Sequence, residues 1–205
     1  MYKFGYIFKD DTLANCLDAL NDYIWDIIHT LDSAAEYKLF LTGKKCFRRE
    51  KYSFYKEKRS TEKPPHWHEI REFLVDEWGA VVTDDGYEAD DWIADLARPE
   101  YDAIVVSIDK DLNTFEGWKY NPDKRVKFYV TNSTAELWLA CQMLIGDTSD
   151  NIPGIPGVGK VACVNILSGA PDPMHRVRTA YKYKYCCQWK PYFDMMHDLL
   201  YLGQR

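Results

Sequence analysis

The stretch AIVVSIDKD, residues 103–111, contains the clearest candidate for a buried β-strand in this chain. Its first six residues are mostly apolar and β-branched, and polar turns flank them on both sides, which is typical of a strand covered on both faces. Two carboxylates, Asp109 and Asp111, follow directly at its carboxyl end. Ligands of open α/β sheets bind beyond the carboxyl ends of the strands, so the pattern predicts a functional edge here.

Strand-like and helical patterns alternate around this strand. Apolar spacing predicts strands at residues 39–41 and 80–82, helices at 12–31 and 88–97, a helix starting at Pro64 or Pro65, a hairpin over 118–130, and a helix over 133–145 whose cap is Ser133 with Glu136 three residues on. The residues after 145 read as short helices, and the first residues as a short strand-like run. This order predicts an α/β fold with a largely parallel sheet flanked by helices and a helical C-terminal region.

Composition describes an ordinary water-soluble chain. Of its 205 residues, 46% are hydrophobic and 28% charged. A chain of this length is long enough to bury roughly 70% of its unfolded surface. No apolar run approaches the ~20 residues of a membrane span, and the N-terminus lacks a signal-peptide pattern. The six cysteines form no C-x-x-C pair, so they predict neither a zinc site nor a disulfide framework. His66 and His68 are interpreted as exposed loop residues.

The net charge of −6 conceals two basic segments. Residues 44–59 carry eight basic and two acidic side chains, a local charge of +6, and residues 174–190 carry five basic side chains and no acid. Aromatic side chains interleave both segments, as in surfaces that contact a nucleic-acid backbone. A solvated face over core aromatics is the alternative that the composition leaves open.

Residues 144–163, LIGDTSDNIPGIPGVGKVAC, contain a G-x-x-x-x-G-K frame between Gly154 and Lys160. A phosphate-binding P-loop needs Ser or Thr next, to hold Mg²⁺, and a buried strand before it. Here Val161 follows the lysine and a polar, turn-rich segment precedes the frame. The stretch is therefore not predicted to be a P-loop.

Three acidic motifs occupy corresponding positions at the ends of predicted elements. Their carboxylates are Glu88, Asp90, Asp91, Asp109, Asp111, Asp147 and Asp150. Each motif alone is explained by a helix N-terminus or a turn. Together in one cleft they would repel, by roughly 4 kcal/mol per pair at about 4 Å, unless they took up protons or bound cations. Oxygen ligands suit Mg²⁺ or Mn²⁺, and a pair of such ions is the usual device for phosphodiester cleavage.

Four motifs, in order and spacing, resemble those of the 5′ nuclease or flap endonuclease superfamily. They are FRREKYSFYKEKR at 47–59, YEADD at 87–91, SIDKD at 107–111 and GDTSDNIPGIPGVGKVA at 146–162. The resemblance runs from about residue 39 to 167 and looks most like bacteriophage 5′ to 3′ exonucleases. It implies a PIN-like 5′ nuclease fold and a Mg²⁺- or Mn²⁺-dependent nuclease with two ions, acting on DNA with free 5′ ends or flaps.

The resemblance also implies roles for individual residues. The seven carboxylates above would be catalytic metal ligands, and Lys56 and Arg59 would reach the scissile phosphate. The residues implied to bind DNA are Arg48, Lys51, Tyr55, Gly157, Gly159 and Lys160. Residues 146–162 would build a helix-hairpin-helix clamp that holds the DNA backbone and also binds K⁺. RNA in RNA:DNA hybrids is a further implied substrate, and the protein is expected to be a monomer with no membrane partner, in the cytoplasm of a host cell if it is of phage origin.

Two acids of the family pattern lack obvious counterparts. The first normally ends an N-terminal strand, where this chain offers Asp10 or Asp11, and the second follows the strand at 39–41, where Thr42, Gly43 and Lys44 stand. Three hypotheses remain: an active DNA nuclease, a noncatalytic or truncated structure-specific DNA-binding protein, and a related nuclease acting on RNA. The predicted organisation is an α/β core over 1–132 with a basic arch-like segment at 44–65, followed by a helical region over 133–205 with the clamp.

Overall fold

The computed structural model describes residues 2–31, 36–60 and 62–203, with the backbone only of Tyr2. In chain order the helices and strands are α1 (Tyr2–Ile7), α2 (Leu13–Leu31), β1 (Phe40–Thr42), α3 (Phe47–Lys51), α4 (Trp67–Asp76), β2 (Val81–Thr83), α5 (Ala89–Leu96), β3 (Ile104–Val106), β4 (Gly117–Asn121), β5 (Val126–Val130), α6 (Asn132–Ile145), α7 (Lys160–Leu167), α8 (Pro173–Tyr185) and α9 (Trp189–Leu200). Short 3-10 helices cover Pro99–Tyr101, Lys110–Thr114 and Cys186–Gln188. Within these ranges no helix has the length and apolarity needed to cross a membrane.

The chain divides into two compact units. The first consists of Met1–Thr42 and Ser60–Thr83, and the second of Gly43–Arg59 and Asp84–Arg205. The boundary predicted after residue 132 falls inside the second unit, at the first residue of α6. The seven predicted carboxylates and the residues implied to bind DNA or the scissile phosphate all belong to the second unit.

Helix α2 supplies the apolar stripe of the first unit. Cys16 and Leu20 lie on one face of the helix and are buried, and they share a core with Ile70 and Leu74 of α4 and with Leu41 of β1. The three-to-four spacing of the apolar residues explains both the helix and the face it buries. The predicted helix therefore forms, starting one residue later than expected.

The N-terminal run, predicted to be strand-like, is the helix α1. Phe4 and Phe8 are four residues apart and stack with ring centroids 6.2 Å apart, and Phe4 also packs edge-on against Tyr23. These contacts favour the helical period over the strand period. Gly5 faces the turn at Pro64 and Pro65, where a Cβ atom would lie 2.7 Å from the Pro65 carbonyl oxygen.

The described strands form two sheets instead of the single, largely parallel sheet that was expected. In the first unit β1 pairs with β2 in parallel, and in the second β3 pairs in parallel with β4, which pairs antiparallel with β5. The antiparallel pair is the predicted hairpin. Because α1 is helical, the described N-terminal residues contribute no strand to either sheet.

The largest core belongs to the helices of the second unit. Leu139 and Met143 of α6 pack with Val177 and Tyr181 of α8 and with Met196 of α9. The Tyr181 hydroxyl, buried in this core, donates to the Met143 carbonyl at 2.7 Å, which satisfies its polar tip. The helices predicted after residue 145 are thus confirmed, and their packing anchors α6, whose end carries the third acidic motif.

The N-cap of α6 differs from the predicted one. Thr131 caps the helix, its hydroxyl accepting from the Thr134 amide at 3.2 Å, whereas Ser133 lies within the helix. Glu136 accepts from the Asn132 side chain at 3.1 Å. The capping box predicted between Ser133 and Glu136 is therefore wrong. β5 ends at Val130, and Thr131, the next residue, has the extended backbone that an N-cap requires.

Candidate active site

A small cleft of about 80 Å³ in the second unit gathers carboxylates from all three acidic motifs. They reach it from the start of α5, from the 3-10 helix after β3 and from the loop after α6. The acidic residues lining the cleft are Glu88, Asp90, Asp109, Asp111, Asp147 and Asp150. The topology thus brings together six of the seven carboxylates predicted from the sequence.

The seventh, Asp91, instead forms a buried ion pair with Arg48. Its two oxygens accept from the guanidinium at 2.6 and 2.7 Å, and neither residue is more than 1% exposed. Arg48 also donates to the carbonyls of Leu199 and Tyr201 at 2.8 and 3.1 Å. Burial opposes the charged form of Arg48, but the hydrogen bonds and charge of Asp91 raise its pKa. Asp91 does not line the cleft. Arg48, implied to bind DNA, does line it but is only 1% exposed, because Asp91 and the two carbonyls hold its guanidinium.

The Arg48–Asp91 pair connects α3, α5 and the end of α9. Asp91 also accepts from the Glu88 amide at 3.1 Å, closing a capping box at the start of α5. Glu88 is thereby held at the helix N-cap, with its side chain directed to the cleft. No sequence signal separates Arg48 from the exposed basic residues around it, so the prediction placed it on the surface.

Tyr55, which the resemblance implied to bind DNA, is buried beneath the cleft. It is 4% exposed, and its hydroxyl lies 2.8 Å from a Glu88 oxygen and 3.1 Å from an Asp150 oxygen. Burial and the negative charges of Glu88 and Asp150 raise the pKa of Tyr55. The phenol therefore remains a proton donor that joins the first and third acidic motifs.

Lys56 and Arg59 bring positive charge to the same two carboxylates. The Lys56 ammonium lies 2.5 Å from a Glu88 oxygen and 3.6 Å from an Asp150 oxygen, and Arg59 pairs with Asp150. Burial alone would raise the pKa of Glu88, but Lys56 holds it below its usual value. Lys56 adopts the left-handed conformation at φ 55°, and its amide donates to the Asp150 carbonyl at 2.9 Å. Both predicted basic residues thus lie at the cleft.

Negative charge is less compensated on the other side of the cleft. Burial and the charges of Asp109 and Glu88 raise the pKa of Asp90 to about 6. Burial and the charges of Asp109 and Asp147 raise the pKa of Asp111 to about 7. These two carboxyls therefore retain protons into a range where ordinary aspartates are ionised.

Gln142, which the sequence did not single out, orients Asp111. Its amide nitrogen donates to Asp111 Oδ1 at 2.7 Å, and its buried Oε1 has no hydrogen-bond partner among the described residues. Gln142 lies one helical turn before the end of α6. In sequence it resembles any other glutamine of a helix, so only the packing of α6 identifies it.

The loop after α6 is held rigid around Asp147. The Asp147 carboxylate accepts from the amide and hydroxyl of Ser149 at 2.7 and 2.6 Å. Although burial opposes ionisation, these bonds lower the pKa of Asp147. Backbone bonds between Asp147 and Ile152 close the loop, and Gly146 and Gly154 pack so closely that a Cβ atom on either would overlap the backbone of the other. The glycines are needed for this close approach.

The segment predicted to clamp DNA leaves its glycines open. Gly157 has φ 87°, and a Cβ atom on Gly157 or Gly159 would meet nothing within 4 Å. Both are exposed, as is Lys160 at the start of α7. Lys51, the remaining residue predicted to contact DNA, is half exposed and pairs with Asp198 of α9.

The chemistry of the cleft fits divalent cations. As they stand, no three Asp, Glu, His or Cys side chains of the described ranges are close enough to form a ready ligand set. The lining is nevertheless rich in carboxylates, and the raised pKa values of Asp90 and Asp111 report an excess of negative charge that a cation would relieve. All-oxygen ligands suit hard ions such as Mg²⁺ or Mn²⁺.

Asp10 and Asp11, the candidates for the first family acid, lie in the first unit. Asp11 accepts from the Thr12 amide and the Asn15 side chain, both at 2.7 Å, next to the start of α2, where the Thr12 hydroxyl accepts from the Asn15 amide at 3.2 Å. The hydrogen bonds to Asp11 lower its pKa. The Asp10 side chain is 88% exposed. Neither residue ends a strand in the described structure.

Comparison with known proteins places this site in context. No model of a known protein family matches the chain. DNA polymerase I of Thermus caldophilus is 33% identical over 138 residues, covering 59% of this chain and 16% of that protein. DNA polymerase I of Mycobacterium leprae is 33% identical over 168 residues, covering 68% of this chain and 18% of that protein. The chain therefore spans less than a fifth of the length of these relatives.

Solved structures from bacteriophage T5 share the fold. A 5′-exonuclease with bound zinc ions is 20% identical with a TM-score of 0.59, over 88% of this chain and 77% of that one. A flap endonuclease in complex with DNA and metal ions is 17% identical with a TM-score of 0.57, over 91% and 79% of the two chains. At these identities the likeness establishes the fold, a mixed α/β arrangement of small sheets flanked by helices.

Proposed function

We propose a function from the premise that this chain belongs to the 5′ nuclease superfamily. On that premise it hydrolyses phosphodiester bonds in DNA as a 5′ to 3′ exonuclease and flap endonuclease that depends on Mg²⁺ or Mn²⁺. The observation that carries the proposal is the convergence of six carboxylates from three motifs beside Lys56 and Arg59. An acidic cleft flanked by cations is suited to bind metal ions and a phosphate together.

The carboxylates of the cleft divide into two groups in this proposal. The first cation site is proposed where the negative charge is less compensated, at Asp90, Asp109 and Asp111. The other group, Glu88 and Asp150, already faces Lys56. Divalent ions held here would supply charge neutralisation and water activation. Two ions are proposed, the second involving Asp147 and Asp150.

Lys56 and Arg59 act on the phosphate. Both residues line the cleft, and the Arg59 side chain is 53% exposed, so it can reach a phosphate in solvent. As negative charge develops on the phosphate oxygens, both side chains stabilise it. Tyr55 fixes Glu88 and Asp150 beneath them through its hydroxyl. Asp91 is proposed to support this arrangement through Arg48 and not to bind metal.

The duplex part of the substrate is proposed to contact the loop before α7 as a helix-hairpin-helix clamp. The open surfaces of Gly157 and Gly159 allow a phosphate to approach the backbone, and Lys160 adds positive charge. Such contacts carry no base sequence information. Recognition of flaps and 5′ ends by shape is therefore proposed, with RNA:DNA hybrids as a further substrate, K⁺ as an ion of the clamp and a monomer as the working form.

A noncatalytic DNA-binding protein is the second candidate. It is favoured by the helical N-terminus, which leaves Asp11 hydrogen-bonded to Thr12 and Asn15 beside α2, whereas the family pattern places a metal-site acid at the end of a strand. Such a protein would bind flaps through the same loop and cations without cutting DNA.

Cleavage of a 5′-labelled flap and a blunt duplex, with Mg²⁺ and with EDTA, tests the proposal. Asp109→Asn should abolish cutting, and Asp18→Asn, an equivalent change on the exposed face of α2, should leave it unchanged. Mg²⁺-dependent cutting with this pattern supports the nuclease. Cutting that survives EDTA or Asp109→Asn contradicts it, and flap binding without cutting supports the noncatalytic protein.

A further inference from the structure

A second cavity, of about 310 Å³, lies within the second unit on one face of the β3–β4–β5 sheet. Register partners Val105, Lys119 and Phe128 contribute to its wall from the three strands. Asp109 lines both this cavity and the acidic cleft. The cavity therefore adjoins the proposed active site at that residue, and none of the predicted functions uses it.

Lys119 is the unusual residue of this cavity. It is 4% exposed, and its ammonium has no hydrogen-bond partner within the described ranges. The other buried charged side chains of the described residues all have polar partners. They are Arg48, Glu88, Asp91, Asp147 and Asp150. A buried charge without a partner is costly, so its presence calls for a ligand.

Packing alone does not explain a lysine at this position. Its cross-strand neighbours on the same face are Val105 and Phe128, beside which an aliphatic side chain would be stable without carrying a charge. The ammonium instead lies 3.3 Å from the centroid of the Phe115 ring, which compensates part of the lost hydration. Burial lowers the pKa of Lys119 to about 7, a penalty that an anion would remove.

The rest of the lining favours a phosphate. Lys110 and Lys124 join Lys119, so three basic side chains face the single acid Asp109, a net charge of +2. Side chains that can donate hydrogen bonds, such as Ser107, Asn113 and Asn121, also line the cavity. Half-exposed Phe128 provides an apolar wall. The volume is at the lower end of small-molecule sites, about 300 Å³, and exceeds what a phosphate group alone would fill.

We propose that this cavity binds a phosphate monoester of mononucleotide size, with Lys119 as the buried cation that holds the phosphate. Rotation about the flexible lysine stem brings the ammonium from the Phe115 ring to the anion. Identifying the ligand as the 5′-phosphorylated terminal nucleotide of a DNA substrate or product rests on the proposed function. Binding of the phosphate monoester itself does not.

Calorimetric titration with dAMP, in EDTA and low salt, tests the cavity without metal or catalysis. Lys119→Met should weaken dAMP binding at least tenfold, whereas Lys127→Met, which removes an exposed lysine from β5, should change it less than twofold. Lys124→Ala at the rim should weaken binding severalfold and serves as the second variant if Lys119→Met does not fold.

Further titrations identify the source of the phosphate. Inorganic phosphate, and oligonucleotides with a 5′-phosphate or a 5′-hydroxyl, are compared on the wild-type chain. Preference for the 5′-phosphorylated oligonucleotide supports a DNA end as ligand, and equal binding of dAMP and inorganic phosphate overturns the assignment to a ligand of mononucleotide size. Absence of dAMP binding, or equal binding by wild type and a folded Lys119→Met variant, overturns the proposal. Cleavage assays are run separately, so a failed nuclease hypothesis leaves these binding results decisive.

Discussion

Single residues carry unusually large energetic roles in the second unit, and Arg48 is the clearest case. Arg48→Met would leave the Asp91 carboxylate buried without its cation, so we expect a loss of about 3 to 5 kcal/mol in the free energy of unfolding. The comparison is Lys51→Met, which breaks a half-exposed ion pair with Asp198 and should cost less than about 1 kcal/mol. Urea unfolding measures both, and equal effects would show that the buried pair is not structural.

At Lys119 we predict that a substitution by methionine raises the free energy of unfolding. The pKa of Lys119 is lowered from 10.5 to about 7 in the folded chain, so the unfolded chain binds more protons between these values. The penalty is therefore complete below about pH 7 and is relieved as the pH rises towards 10.5. Around pH 7 without phosphate, Lys119→Met should be more stable than wild type, by about 2 to 4 kcal/mol.

The pH dependence separates this from a simple packing effect. Denaturant unfolding at pH 7, 8.5 and 10 should show the advantage of Lys119→Met shrinking with each step. The charged groups that face the cavity with Lys119 are Lys110, Lys124 and Asp109, and none of them is changed. A constant advantage at all three pH values would mean that titration of Lys119 is not its cause.

At the scale of elements, the start of α6 depends on one hydroxyl. Thr131→Ala removes the N-cap bond to the Thr134 amide and should destabilise the chain by about 1 kcal/mol. Ser133→Ala, two residues on and inside the helix, should have an effect within about 0.5 kcal/mol. Thermal unfolding of the pair distinguishes the two caps, and a larger effect at Ser133 would restore the cap predicted from the sequence.

The loop between α6 and α7 contains glycines of two kinds. Gly154→Ala would drive a Cβ atom into the backbone at Gly146, so we expect a loss of more than about 2 kcal/mol and a displaced Asp147. Gly157→Ala meets open space and adds only the strain of its positive φ, about 1 kcal/mol. If the loop clamps DNA, Gly157→Ala should nevertheless weaken flap binding, which fluorescence anisotropy measures, while binding that is unchanged counts against the clamp.

At the scale of the whole molecule, the acidic cleft makes stability depend on pH and on cations. Burial and Asp109 raise the pKa of Asp111 from 3.8 to about 7, so the folded chain binds more protons than the unfolded chain over that range. Stability should fall as the pH rises from about 4 to 7. Asp111→Asn removes this term and should raise the stability at pH 7.5 by about 1 to 3 kcal/mol.

Divalent cations should stabilise the wild-type chain, as Asp111→Asn is expected to do. Mg²⁺ or Mn²⁺ that binds only the folded cleft raises the melting temperature, and the rise should be smaller for Asp111→Asn than for the Asp18→Asn control. Differential scanning fluorimetry with and without the metal measures this. Equal rises in the two variants would place the cation elsewhere.

The sequence by itself determined the local elements and the chemical type of the site. The run at residues 103–108, the helix periodicities and the NPDK turn specify short-range structure. The predicted elements formed with shifts of one to three residues, except for the N-terminal run, which is helical where a strand-like run was predicted. Six of the seven predicted carboxylates meet at the cleft. Each of them lies next to the end of a strand or helix, and those ends can be located from the sequence. The resemblance of four motifs also indicated the superfamily.

Only the tertiary structure decided which side chains are buried and whom they contact. Burial depends on elements distant in sequence: Arg48 is enclosed by Asp91 and the carbonyls at the end of α9, and Tyr55 by Glu88 and Asp150. Position along the chain made both look like exposed members of a basic segment. Gln142 and Lys119 were missed for the same reason, since a glutamine in a helix or a lysine in a strand gains its meaning from the packing of neighbouring elements.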